Sequence, residues 1–406
     1  MKVTIINHSD TQGGASIVSF RLMEALRALG VDARMLVAAK STDSPYVEQS
    51  APRWRARIPF MAEHLRIFGH NGFSRRTLFK VSLCSDGLPL SRHPLVESAD
   101  AVVLNWVNQG MLSLDEIGKI ARMKPTLWTM HDQWNYTGIC HHSGACERFT
   151  AHCGDCPFLG RMAGPRDLSY SVFNKKKHLY DTAPIAFVSI SRWLSDRAAR
   201  SALLAGRRLE FIGNPFPVEA LAEAPTLTRR QLGLPPDKRL VLFCAARIDD
   251  PDKGLSTAIE AINEAADTVG DFAAVFVGAC RDPRALDTLR VPYVALGPVS
   301  PSKIPSLMAH SAAVISTSPF ETHGATMVEA QAAGATPVCF THDGRADIVE
   351  HGVTGYSLSA DPRALCLALE KPIGRESLRS AAMRYNSPAI AARYVNLIES
   401  LIGTSM

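Results

Sequence analysis

Two glutamates bracket a glycine in "SPFETHGATMVEA", Ser318 to Ala330: Glu321, then Gly324, then Glu329. The stretch follows an apolar strand pattern, "AAVIST" (Ala312–Thr317). Gly324, Ala325 and Thr326 would then open a helix whose free amides and dipole favour a phosphate. Glu329 would stand about 7 Å further along the axis, at about 1.5 Å per residue. That distance suits the hydroxyls of a ribose attached to the phosphate. Glu321, in the loop before the helix, would face the group on the other side. Taken alone, such a pair is more simply read as solvated charge on an amphipathic helix.

A second stretch supplies positive charge. In "CAARIDDPDKG", Cys244 to Gly254, Arg247 and Lys253 follow a strand pattern and can converge on a diphosphate. Arginine does so through its planar fork and lysine as a compact charge. Asp250 and Asp252 make a D-x-D, but they lie in a turn between two cations and read as solvated turn carboxylates. No catalytic metal is therefore expected. In "SDTQGGAS" (Ser9–Ser16), Gly13 and Gly14 open a helical pattern with apolar Ile17, Leu22, Ala25, Leu26 and Leu29. Glycines there let a phosphate or sugar approach the backbone, although a tight turn explains them equally. The stretch is neither the dinucleotide fingerprint nor a P-loop. Cations, helix start and two carboxylates fit a nucleotide diphosphate sugar, with ribose at one glutamate and sugar at the other.

Four of the nine cysteines fall close together, Cys140, Cys146, Cys153 and Cys156, with His141, His142 and His152 among them. Short spacing in a reducing compartment suits a structural zinc. The gaps are looser than standard, so free thiols or a disulfide pair stay open as readings. Cys84, Cys244, Cys280, Cys339 and Cys366 read as core residues. The run Lys175–Lys177 reads as a solvated helix face.

These groups need elements to position them, and the pattern supplies short apolar strands alternating with helices. Strands are expected at Val3–Asn7, Ala33–Ala38, Ala101–Trp106, Thr126–His131, Ile185–Ile190 and Leu209–Gly213. A second set follows at Arg239–Ala246, Ala273–Gly278, Pro292–Leu296, Ala312–Thr317 and Ala335–Phe340. Such alternation means parallel sheets covered on both faces. The expected fold class is α/β, with two doubly wound Rossmann-like domains facing a cleft. The break lies in Gly213–Arg239, which holds Pro215, Pro217, Pro225, Pro235 and Pro236. The expected domains are 1–213, with a Cys-rich insertion at 140–156, then 214–385, then a helix over 386–406 returning to the first domain. Ligands of such sheets bind beyond the carboxyl ends of the strands, where all three motifs fall.

The 406 residues suit two domains, and 46% apolar with 20% charged residues reads as a globular protein. No apolar run is long enough to span a bilayer, and Met1 runs straight into a strand, so a cytoplasmic protein is expected. The net charge of +5 is uneven. Arg53, Arg55, Arg57, Arg66, Arg75, Arg76 and Lys80 face Glu63 alone, interleaved with Trp54, Ile58, Phe60, Met61, Leu65, Ile67, Phe68, Phe73 and Phe79. This suits peripheral contact with an anionic inner membrane, or an ordinary basic helix and loop. No nucleic-acid motif accompanies the charge, and no nucleic-acid partner is expected.

With these motifs the chain resembles the GT-B glycosyltransferases of the large retaining group called family 4. The matching residues are the Gly13-Gly14 loop, Arg247 and Lys253, "LGPVSPSKIPSLMAHSAAVIST", Glu321 and Glu329, "EAQAAGATPV" and "ADIVEHGVTGY". "MHDQWNYTGICHHSGACERFTAHCGDCP" resembles the branch that includes colanic acid glycosyltransferases of exopolysaccharide synthesis. The resemblance implies transfer of a hexose from a UDP- or GDP-sugar to a glycan, expected to be lipid-linked. It also implies roles. Gly13 and Gly14 would approach the donor diphosphate or the acceptor, and His131 the donor sugar. Arg247 and Lys253 would stabilise the leaving diphosphate, Glu321 would bind sugar hydroxyls and Glu329 the ribose. The loop around Val299 would hold the base through its backbone. His323 stands where many members have phenylalanine, which bears on sugar identity. A nucleotide-sugar epimerase or phosphorylase on the same fold, and a non-catalytic sugar-binding scaffold, are the alternatives.

Overall fold

The structure, a computed structural model, describes residues 1–223 and 227–404. Pro225 of the expected linker and the last two residues of the chain lie outside them.

Thirteen strands form two all-parallel sheets among the described residues. The first holds β1 (Lys2–Ser9), β2 (Asp32–Ala39), β3 (Val47–Gln49), β4 (Ala101–Leu104), β5 (Thr126–Met130), β6 (Ile185–Ser189) and β7 (Leu209–Phe211). Their order is β3-β2-β1-β4-β5-β6-β7. The second holds β8 (Arg239–Arg247), β9 (Phe272–Ala279), β10 (Tyr293–Gly297), β11 (Ala313–Ser316), β12 (Thr336–Cys339) and β13 (Tyr356–Ser357), ordered β10-β9-β8-β11-β12-β13. In both, the order reverses beside the first strand, and that switch point is where ligands of such sheets bind. Both sheets are doubly wound and Rossmann-like.

Strand alternation divides each core in two. In β4, Val102 and Leu104 join one apolar cluster while Ala101 and Val103 join the other. In β8, Leu240 and Leu242 face one side and Val241 and Phe243 the other. A strand apolar on both faces is only stable when helices cover both. Among these helices are α1 (Gly14–Ala28), α2 (Arg53–His70), α3 (Leu255–Thr268), α4 (Ala325–Ala333) and α5 (Ser387–Thr404). On α1, Val18, Leu22, Met23, Ala25 and Leu26 are buried, whereas Ile17 and Leu29 are exposed, against the expected core face.

The chain divides into two compact units. One is Met1–Pro215 together with the chain from Pro388 on, and the other is Phe216–Ser387. Helix α5 belongs to the first unit. Ile390, Ala391, Tyr394, Leu397 and Ile398 join the core beneath β1 and β4, and Tyr394 Oη lies 3.1 Å from Thr129 Oγ1. No helix among the described residues is long and apolar enough to cross a membrane.

Candidate functional site

In the second unit, β8 ends at Arg247 and the chain turns through Pro251–Lys253 into α3. Gly254 makes that turn at φ 69°, and a Cβ there would stand 2.1 Å from the Thr317 carbonyl oxygen. The Thr317 hydroxyl donates to the Gly254 carbonyl at 2.7 Å. This close crossing ties the loop after β8 to the loop after β11. It brings Lys253 Nζ to 2.9 Å from Glu321 Oε1, a half-exposed pair. Arg247 pairs with Asp250 at 3.0 Å, so Asp250 is a partner of the cation and not merely a solvated turn residue. Asp249 accepts from the Arg281 and Asp282 amides.

Gly254→Ala should therefore destabilise more than left-handed backbone strain alone. Gly233, at φ 70°, is a control, since a Cβ there meets nothing nearer than Leu296 at 3.9 Å. About 1–2 kcal/mol is expected at Gly233 and roughly 2–4 kcal/mol at Gly254, read from urea unfolding. Equal losses would show that the Thr317 crossing carries no weight.

Beyond β11, Gly324 opens α4 at φ 97°, where a Cβ would lie 2.5 Å from Arg345 Cγ. Ala325 and Thr326 form the first turn and Glu329 follows on the same helix. Glu329 lies in electrostatic reach of Cys244, whose thiol is pushed up to about 11 by burial, with that carboxylate adding to the shift. Val299, after β10, is half-buried against the core. His323 is buried at 3% exposure, stacked on Phe216 at 5.8 Å and edge-on to Tyr385 at 5.4 Å. Its ring packs inward among aromatics.

The sequence reading missed what holds this loop. Asp343 and Arg345 form an ion pair with both side chains fully buried, at 2.7 Å. Arg345 also donates to the Ser318 carbonyl at 2.9 Å, and Asp343 Oδ2 accepts from the Glu321 amide at 2.8 Å. Gly344 N donates to the Glu321 carbonyl at 3.2 Å. Glu321 is thus clamped on both sides by one D-G-R turn.

In the first unit, Gly13 takes φ 89° and α1 starts at Gly14, where a Cβ at either position would meet open space. Asn7 organises the strand ends: its amide donates to Ser9 O and Ser16 Oγ, and its oxygen accepts from the Trp106 amide. His131, just past β5, is hydrogen-bonded through Nε2 to the Asn105 side-chain oxygen at 2.7 Å. Burial pushes its pKa down to about 4 against the pull of Asp132, so the ring is neutral at pH 7. Burial would raise Asp132, but His141 and the Trp134 amide outweigh it and hold it at about 2. Asp132 Oδ2 meets His141 Nδ1 at 2.7 Å and the Trp106 indole at 3.0 Å. The Gly13-Gly14 loop, Trp106 and His131 stand at the ends of β1, β4 and β5. Asn105 and Trp106 were read only as strand residues.

The cysteine loop follows His131. Cys140, Cys146, Cys153 and Cys156 are free thiols. No three His, Cys, Asp or Glu among the described residues form a group that could hold a metal ion. Burial pushes Cys140 up to about 12 and Cys153 and Cys156 to about 11. Lys176, expected on a solvated face, is fully buried beneath them. Its Nζ donates to Trp134 O at 2.5 Å and Thr137 O at 3.1 Å and sits 3.2 Å over the Trp134 ring, and burial lowers its pKa to about 7. Cys280, expected in the core, is exposed.

Residues 239–373 match the family model of glycosyl transferases group 1. No curated protein matches the chain. Among solved structures, sucrose-phosphate synthase from Thermosynechococcus elongatus is similar at TM-score 0.64 and 16% identity, covering 100% of both chains. WaaG, a glycosyltransferase involved in lipopolysaccharide biosynthesis, is similar at TM-score 0.62 and 15% identity, over 98% of this chain and 99% of its own. HepE of Anabaena, solved with UDP-glucose, follows at TM-score 0.53 and 18% identity, over 100% of this chain and 99% of its own. The two Rossmann-like sheets are those of the GT-B fold, and the family match over the second sheet supports a glycosyltransferase built on it.

Proposed function

We propose that this chain is a retaining family 4 hexosyltransferase that moves a sugar from a nucleotide diphosphate donor to a lipid-linked glycan of a surface polysaccharide. The observation that carries this reading is the Lys253–Glu321 pair, 2.9 Å apart, next to the start of α4 in a segment matching glycosyl transferases group 1. The second unit takes the donor. Its diphosphate lies against the α4 N-terminus with Arg247 and Lys253, the ribose at Glu329, the base along the backbone near Val299 and the sugar hydroxyls at Glu321. In the first unit, the open Gly13-Gly14 turn is offered to the donor diphosphate or the acceptor, and the neutral ring of His131 to the donor sugar.

In the reaction the bond from sugar C1 to the diphosphate oxygen breaks. A bond from C1 to the acceptor oxygen forms on the same face, and the acceptor proton passes to the departing phosphate oxygen. Arg247, Lys253 and the helix terminus stabilise the charge that grows on the leaving group. No enzymic nucleophile is required, and Glu321 is given none of that role.

Thermal shift against UDP- and GDP-sugars tests the donor. HepE was solved with UDP-glucose, which puts UDP-sugars first. A matching donor at a hundredfold excess over its Kd stabilises by about 2.7 kcal/mol. Glu329→Ala should weaken that donor roughly 10- to 100-fold, the worth of a hydrogen bond to a charged group. A shift kept in the variant would remove Glu329 from the site, and no shift with any nucleotide sugar would remove the reading. Product analysis separates the alternatives: an epimerase changes the sugar without acceptor, and a phosphorylase needs phosphate.

A further inference from the structure

Helix α2 is buried along one side and carries an exposed apolar stripe along the opposite one. Glu63, His64 and Ile67 are buried, and Glu63 Oε1 accepts from the Leu83 amide at 2.9 Å. Gly110 at φ 81° passes so close that a Cβ would stand 2.4 Å from the Phe60 amide nitrogen. The inner side is therefore fastened to the first unit. On the outer side Trp54, Ile58, Met61 and Leu65 are 67%, 59%, 53% and 65% exposed. Their spacing of four, three and four residues places them within roughly 60° of arc, facing away from Glu63 and Ile67. The stripe runs on through half-buried Phe68 to Phe73, whose ring meets it at 5.4 Å and is 71% exposed.

Phe73 is the second observation. It sits at φ 61°, a left-handed conformation that a bulky residue adopts only at a cost. The turn is held by Asn71, whose side chain bonds Ser74 N, Ser74 O and Thr77 Oγ1. The fold strains its backbone to hold a phenyl ring out in solvent. Arg53, Arg55 and Arg57 are exposed along the helix, and Arg75, Arg76 and Lys80 in the turn beyond it. Phe79 is 60% exposed between them.

We infer that this face lies in the surface of an anionic lipid bilayer, with Trp54, Ile58, Met61, Leu65 and Phe73 entering the acyl boundary and the arginines on headgroup phosphates. The charge selects this occupant. An apolar stripe covered by a second copy of this chain would set the same arginines against each other, whereas an anionic surface neutralises them. The inference does not rest on the reaction proposed above.

Flotation of the full chain tests it, using vesicles of phosphatidylcholine alone or mixed with phosphatidylglycerol. Binding to the mixed vesicles is expected, and at least tenfold weaker binding to the neutral ones. Arg53→Glu, Arg55→Glu and Arg57→Glu together should weaken binding about 100-fold or more, by the worth of each basic residue at such a surface. Trp54→Ser, Ile58→Ser, Met61→Ser and Leu65→Ser together should abolish it without loss of thermal stability, because the side chains are exposed. Phe73→Gly should weaken binding while leaving the protein as stable or more so. Equal binding to both vesicles, or variants that float like the parent, overturns the inference. So does a dimer, seen by ultracentrifugation, that the serine variant dissolves while neither protein floats.

Discussion

Lys253→Ala should lower kcat by roughly 10²–10³-fold, the loss expected when one preorganised positive group is taken from a developing oxyanion. Folding should hardly change. The pair it forms with Glu321 is half-exposed, with side chains 39% and 27% accessible, and such pairs contribute about 0–1 kcal/mol. The combination is what makes the experiment decisive: a large kinetic loss on an unaltered fold places the lysine at the reacting centre. Arg247→Ala should behave alike, since that guanidinium is anchored by Asp250 and not by the core. If both cations act on one diphosphate, as proposed, the double variant should lose less than the product of the two. A kcat within threefold of the parent for Lys253→Ala would sink the assignment. Arg247 and the helix terminus at Gly324 would then be left to stabilise the leaving group.

Strands were legible where burial on both faces leaves an unbroken apolar run. "VTIIN" and "RLVLFCAA" mark the central β1 and β8 of the two sheets. The edge strands β3 (Val47–Gln49) and β13 (Tyr356–Ser357) were not seen, because three residues and two show no period. Side chains whose burial depends on distant parts of the chain were the hardest to read. Lys176 stands in a run of three lysines and looks solvated. It is buried because the carbonyls of Trp134 and Thr137, some forty residues earlier, converge on its ammonium. Ile17 fits the helical period of α1, yet it is exposed while its neighbours Ser16 and Val18 face inward.

The candidate site divides in the same way. Glu321, Lys253 and Gly324 were legible because glycines and paired charges stand just past strands, where the topology must present them. Nothing in the spacing showed that Lys253 and Glu321, 68 positions apart, would meet. That depends on Gly254 lying against the Thr317 carbonyl. His323 follows the same loop, yet its ring turns toward Phe216 and Tyr385, which no local pattern announces. Of the four clustered cysteines, Cys140, Cys153 and Cys156 are buried, which their spacing does not announce.

Asp343→Ala should cost about 3–5 kcal/mol of stability, because it strands a buried guanidinium without its countercharge. "THDGRAD" reads as a polar turn, and charged turn residues are ordinarily solvated. Here Gly344 allows the backbone of Thr322 to pass directly over it; a Cβ would stand 2.0 Å from the Thr322 oxygen. The crossing seals Asp343 and Arg345 from water. Arg345 then satisfies Ser318 O and Asp343, and Asp343 satisfies the Glu321 amide. The bonds to Ser318 O and from the Glu321 amide bear directly on the loop that carries Glu321. Arg345→Met should be as costly as Asp343→Ala. Replacing both by apolar residues should cost clearly less than the sum, since no lone charge remains buried. Activity separates this from a merely structural pair. A shift of about 1 Å at a positioned group can cost 10²-fold in rate. The double apolar variant should therefore recover much of its unfolding midpoint in urea yet stay slow. Recovery of kcat along with stability would show that Glu321 keeps its place without the clamp, and that the ion pair serves the fold alone.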